Sequence, residues 1–157
     1  MAGKPYKLIC VGKIKQPFIQ MGCQLYLERL KPLRTIKVTE IRDSNPKLSV
    51  QERKKEEGQN LLQAIGSKDY PIVLDLAGQS LSSEGLANLL NHLEQEPGQI
   101  PTFIIGGPYG LDQEVLAVSR KSLALSCLTF THELARLILL EQIYRAHCII
   151  KHLPYHN

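Results

Sequence analysis

With 157 residues, 43% of them hydrophobic and 22% charged, the chain is long enough to close one core without disulfide or metal staples. It has no stretch near the ~20 apolar residues of a membrane span, no apolar run of a signal peptide, and four cysteines (Cys10, Cys23, Cys127, Cys148) that form no Cys-x-x-Cys pair, which together argue against membrane, secreted, zinc and dithiol classes. The expectation is a single cytoplasmic domain with reduced thiols and a net charge of +4, unevenly placed: residues 1–37 hold eight Lys/Arg against Glu28, residues 38–119 six against twelve acids, and residues 120–157 five against two.

Residues 6–11 (YKLICV) form a short apolar run ending at Gly12, which predicts a buried first strand. Pro17 opens a helix carrying Phe18, Met21, Leu25, Leu27 and Leu30 on an approximate face, and Pro32 ends it. Residues 34–41 alternate as a half-buried strand does, followed by turn residues 43–46. Ser49 and Glu52 form a capping box for a helix to about Ile65, whose first turns (residues 52–57) read as solvated. Residues 71–76 (PIVLDL) predict an interior parallel strand, with Ala77-Gly78-Gln79 as the turn after it. Ser82 or Ser83 caps the next helix, which buries Leu86, Leu89, Leu90 and Leu93 and stops at Pro97-Gly98. Residues 102–105 (TFII) run as a strand into Gly106-Gly107-Pro108-Tyr109-Gly110, and Asp112 caps a short helix to about Ser119. Residues 123–130 are a strand or extended loop, and a final helix spans about residues 132–150. This alternation predicts an α/β fold with a mainly parallel sheet flanked by helices, in one domain over residues 1–157.

In such sheets ligands collect beyond the carboxyl ends of the strands. Three exits stand out: residues 74–78, 105–110 and 125–130, two of them carrying the glycines that let a backbone turn sharply or approach a ligand closely. Gly106 to Gly110 is neither a P-loop nor a dinucleotide fingerprint. The last helix is apolar nearly all round, so cover from a second copy, a homodimer, is expected. Its few polar residues include His132, Arg136, Glu141, Tyr144, Arg145 and His147. Arg136 and Arg145 point about 180° apart at ~100° per residue, and Glu141 with Arg145 reads as an i, i+4 ion pair. His147, His152 and His156 lack the spacing of a metal site, so no metal is expected. The basic ends, should they meet in space, make a surface suited to an anionic polymer.

Taken together, Val11-Gly12-Lys13, residues 74–79 (LDLAGQ) followed by 82–87 (SSEGLA), 104–111 (IIGGPYGL), 123–126 (LALS), 128–132 (LTFTH), Arg136, 141–146 (EQIYRA) and Pro154-Tyr155-His156 resemble the RlmH family, the SPOUT-class ribosomal RNA large-subunit methyltransferases. The likeness covers nearly the whole chain, with departures at Gln79, where lysine is common, and around His132. It implies a C-terminal part, about residues 74–157, threaded into a trefoil knot, an exception to the rule that chains are unknotted. It implies an obligate homodimer, S-adenosylmethionine (SAM) as methyl donor held in the knot, and methylation at N3 of a pseudouridine in large-subunit (23S) ribosomal RNA on the assembled ribosome. By position, Leu74, Gly106, Gly107, Leu125, Ser126, Cys127, Leu128, Thr129 and Phe130 would hold the donor. His132, Arg136, Arg145, Tyr155 and His156 would serve the RNA or the transfer. A complete site would draw on both subunits, with basic N-terminal residues of one copy joining the donor cradle of the other. The alternatives are a non-catalytic RNA- or ribosome-binding protein and a SPOUT enzyme acting on tRNA.

Overall fold

The computed structural model describes residues 3–155. Five strands, β1 (Tyr6–Val11), β2 (Ile36–Ile41), β3 (Asp69–Ser80), β4 (Ile100–Ile105) and β5 (Lys121–Ala124), alternate with helices α1 (Pro17–Leu30), α2 (Val50–Ala64), α3 (Ser83–Gln95), α4 (Gln113–Val118) and α5 (His132–Ile150). The sheet order is β2-β1-β4-β3-β5, and every neighbouring pair is parallel. Both faces are covered, which is why the central strands are continuously apolar. Leu8 and Cys10 point into a core shared with α1, α3 and α5, while Ile9 and Val11 point into a second core under α2 and α4.

The helix starts follow local chemistry. Ser49 and Glu52 make the reciprocal capping box, and Ser82, Asp112 and Thr131 each accept a backbone amide at the start of α3, α4 and α5.

Three sequence expectations need correcting. Residues 77–79 belong to β3 and are not a turn after it. Leu123 of β5 pairs with Leu74 and again with Gln79, so the four residues between bulge while the strand continues to Ser80. Helix α2 is not solvated throughout its early turns, because Glu57 is buried. The cover of α5 comes largely from its own chain: α1, α3 and β4 pack on it, and no residue of the helix falls in the exposed class. The free apolar stripe lies instead on α1, where Phe18, Met21 and Leu25 are 64%, 74% and 46% exposed.

His147 sits at the buried end of α5, 5.4 Å from the Tyr6 ring and 3.8 Å from a Glu94 oxygen. Burial pushes its imidazole down to about 4 from the usual 6.5, Arg34 and Lys151 add to this, and Glu94 opposes it. The folded state therefore holds His147 neutral. As pH falls below 6.5 the unfolded chain takes up a proton that the folded chain refuses, and stability is lost until about pH 4. The expected loss from this group is about 2 kcal/mol at pH 5. Urea unfolding at pH 7 and pH 5 should show a smaller acid loss for His147→Gln than for the wild type; equal losses would contradict the assignment.

Candidate active site

The exits of β3 and β5 come together as a shallow apolar pocket. Leu74, Asp75, Leu76, Leu125, Ser126, Leu128 and Phe130 line it with Ala135 of α5, so one carboxylate stands among mainly apolar walls. The Leu128 amide donates to the Ser126 hydroxyl oxygen at 3.0 Å, which turns the backbone back on itself. Leu128 and Leu76 stand 71% and 56% exposed at the rim, an apolar edge without a partner in one chain. The cavity of about 100 Å³ is smaller than the ~300 Å³ of a usual small-molecule site. Cys127 and Thr129 belong to the same segment but are exposed and do not line the pocket.

Residues 106–110 leave β4 as a tight turn. The Gly110 amide donates to the Gly107 carbonyl at 3.1 Å, and Gly110 has φ +85°. At Gly106 a Cβ would lie 3.0 Å from the Gly110 carbonyl oxygen and 2.9 Å from Leu111 Cδ2, so a side chain there would press the turn and Leu111 aside. Neither Gly106 nor Gly107 lines the small apolar pocket.

A larger crevice, about 1320 Å³, opens where the strand order reverses between β1 and β4. Its wall carries four cations, Lys13, Lys15, Arg42 and Arg53, and four carboxylates, Glu40, Asp43, Glu56 and Glu133; Pro108 and His132 line it beside the turn. Arg136, by contrast, is buried and braced: it donates to a Glu40 oxygen at 2.8 Å and to the Gly12 carbonyl at 3.0 Å. It ties α5 to the ends of β1 and β2.

Arg145 and Tyr155 lie elsewhere. Arg145 donates twice to Glu141 Oε1, at 3.1 and 2.7 Å, as the i, i+4 spacing predicts, and this pairing raises its already high pKa. Its guanidinium lies 4.9 Å from the Tyr155 ring, and the Tyr155 hydroxyl donates to Glu141 at 3.2 Å. Tyr144 meets the Tyr155 ring edge-on at 4.7 Å, and Tyr26 and Arg29 of α1 complete the group. The Tyr155 hydroxyl is held strongly towards its protonated form, by its hydrogen bond with Tyr26 first and by burial and Glu141 next. The two basic ends of the chain thus do meet, at this aromatic cluster. Nothing in the sequence near Tyr26 links it to a residue 129 positions away. His156 lies outside the described residues. Thirteen residues of α5 separate His132 from Arg145, which at 1.5 Å per residue is ~20 Å. One chain therefore does not bring His132 and Arg145 to one point.

Among the described residues no group of three His, Cys, Asp or Glu side chains is arranged to hold a metal ion, and no helix is long and apolar enough to cross a membrane.

Residues 5–156 match the family described as "Predicted SPOUT methyltransferase". The chain belongs to that family. It is similar along its whole length to the Ribosomal RNA large subunit methyltransferase H of Desulfovibrio desulfuricans, with 46% identity over 157 residues and all of both chains covered. The protein of the same name from Lawsonia intracellularis is 43% identical, again with complete coverage of both. That of Halothermothrix orenii is 44% identical over 155 residues, covering 96% of this chain and 98% of its own. The SPOUT methyltransferase fold is here a five-stranded parallel sheet flanked by helices, and its strand exits are the apolar pocket and turn described above.

The cysteines offer a probe of the packing. All four lie within the described residues, and only Cys127 is exposed. Burial pushes the Cys10 thiol up to about 12 and the Cys23 thiol up to about 11, so neither is reactive near neutrality. Iodoacetamide at pH 8 should label Cys127 alone among the four. Peptide mass mapping checks this; labelling of Cys10 or Cys23 in the folded protein would contradict their burial.

Proposed function

We propose that this SPOUT methyltransferase uses SAM to methylate N3 of a pseudouridine in 23S ribosomal RNA, acting as a homodimer in the cytoplasm. The observation that carries this reading is the full-length likeness, at 46% identity, to a protein named for large-subunit ribosomal RNA methylation. The mainly apolar slot and the glycine turn support it chemically.

Bound SAM supplies an electrophilic methyl on a sulfonium, transferred by in-line displacement. Leu74, Leu125, Leu128 and Phe130 would clasp the adenine ring, and the backbone at residues 106–107 and 125–130 would read its edge. Positioning donor and acceptor as a near-attack pair then provides most of the rate. The acceptor's N3 proton must also leave, and His132, which lines the crevice beside the turn, would receive it. The ~20 Å along α5 supports a shared site, in which Arg145 and Tyr155 of the second copy act on the RNA beside the donor cradle of the first. His156 would join them. The exposed stripe Phe18, Met21 and Leu25 supports dimerisation through α1. Threading of residues 74–157 into the trefoil knot is part of the same reading, supported by the close double pairing of β3 with β5.

Titration calorimetry with SAM, followed by mass mapping of rRNA nucleosides from ribosomes incubated with and without the protein, tests the proposal. Absence of SAM binding would reject the enzyme reading, and label from SAM appearing only in tRNA would reject the substrate.

A further inference from the structure

Gly107 invites the reading that its missing side chain makes room for a ligand. The structure gives that room to another residue. A Cβ on Gly107 would lie 2.9 Å from Glu57 Oε2 and 3.4 Å from both the Cδ and Oε1 of the same side chain. Glu57 is 2% exposed and reaches the turn from α2, on the face of the sheet opposite α1, α3 and α5.

Its two oxygens are treated differently. Oε1 accepts the Ser44 hydroxyl at 2.7 Å, and Ser44 in turn accepts Arg53 Nε at 3.0 Å. Arg53 then lies 5.0 Å from the Tyr109 ring and donates to its hydroxyl at 3.4 Å. Oε2 is buried with no hydrogen-bond partner among the described residues. A half-satisfied buried carboxyl is costly, and an apolar side chain would fill this space without that cost. The next residue, Gly58, brings the same helical turn against Asp112: a Cβ there would lie 2.8 Å from the Asp112 Cβ. Asp112 caps α4, immediately after the turn. One turn of α2 thus touches the segment from residue 107 to residue 112 at both ends.

We propose that Glu57 is a positioning residue for methyl-donor binding. Its carboxyl seats Gly107 directly, and the Ser44–Arg53–Tyr109 chain holds the far side of the turn, so that the 106–110 backbone faces the donor. The inference rests on the donor reading given above. It assigns Gly107 to the support of the turn and leaves ligand contact to the atoms on the other side.

Steady-state kinetics and SAM calorimetry on the full-length Glu57→Gln, Glu57→Ala, Gly107→Ala and Glu57→Ala/Gly107→Ala variants test it. Glu57→Ala should raise the Kd and KM for SAM about tenfold, with the KM for RNA unchanged. Glu57→Gln, which keeps the shape and the oxygen that accepts from Ser44, should recover much of that loss. The double variant should lose less than the product of the two single losses, because both act at one contact. Should Glu57→Ala or Glu57→Gln fold poorly, hydrogen exchange at residues 106–110 in whichever variant is folded must still be faster than in the wild type. Unchanged SAM affinity in folded Glu57→Ala, independent losses in the double variant, or unchanged exchange would each overturn the proposal. A wild-type protein that binds no SAM would instead sink the donor reading, and this proposal with it.

Discussion

A one-to-one mixture of Arg145→Ala and Leu128→Arg chains, dissociated and reassociated, should recover about one quarter of wild-type methylation, although each variant alone is nearly inactive. Random pairing makes half the dimers mixed, and each mixed dimer holds one intact site of two, which yields roughly one quarter. Arg145→Ala removes a cation held beside Tyr155 by two bonds to Glu141, and loss of one such preorganised donor costs about 100-fold in turnover. Its SAM affinity should be unchanged, because Arg145 does not line the donor pocket. Leu128→Arg acts on the donor side. The position is 71% exposed, so the fold tolerates a charge there, and a cation in the slot opposes the sulfonium. Filter-bound label from SAM measures the outcome. Activity of the mixture no greater than that of the two homodimers would show that each subunit carries a complete site.

The second large effect is on stability. Gly78→Ala should destabilise the protein by roughly 3 kcal/mol, the upper end for overpacking, and lower Tm by about 6–12 °C for a domain of this size. A Cβ at this position would lie 2.7 Å from the Leu123 nitrogen and carbonyl carbon and from the Ser122 carbonyl carbon. These are backbone atoms of the neighbouring β5, so no rotamer change relieves the clash. Gly98→Ala is the control. Gly98 has φ +82° with nothing within 4 Å of a new Cβ, so only the left-handed backbone penalty of roughly 1–2 kcal/mol applies. Differential scanning calorimetry of the two variants decides the point; a Gly78→Ala Tm at or above that of Gly98→Ala would mean that β3 and β5 separate easily here.

Features governed by neighbours in sequence were legible from the residues alone. The first four strands and the five helices, the Ser49–Glu52 box, the Asp112 cap and the Glu141–Arg145 pair depend on hydrophobic period and on groups three or four positions apart, whereas the fifth strand, expected as strand or loop over residues 123–130, is Lys121–Ala124. That Leu74 of β3 meets Leu125, Ser126, Leu128 and Phe130 was legible for a different reason: segments at the carboxyl ends of neighbouring parallel strands converge.

Long-range pairing decided the rest. Arg136 and Arg145 look alike in sequence as cations on an apolar helix. Only the fold gives Arg136 the Glu40 carboxylate and the Gly12 carbonyl while leaving Arg145 in an aromatic cluster with Tyr26 and Tyr155. Residues 77–79 carry turn chemistry, yet β3 continues through them: after a four-residue bulge, Gln79 and Ser80 resume pairing with β5. Glu57 sits in a charged run that reads as solvated. Its burial follows from where α2 crosses the turn after β4, a contact 50 residues away that no local pattern encodes. Chain order and local geometry were thus written in the sequence, whereas which charges were buried, braced or left for chemistry was set by tertiary contacts that bring distant residues together.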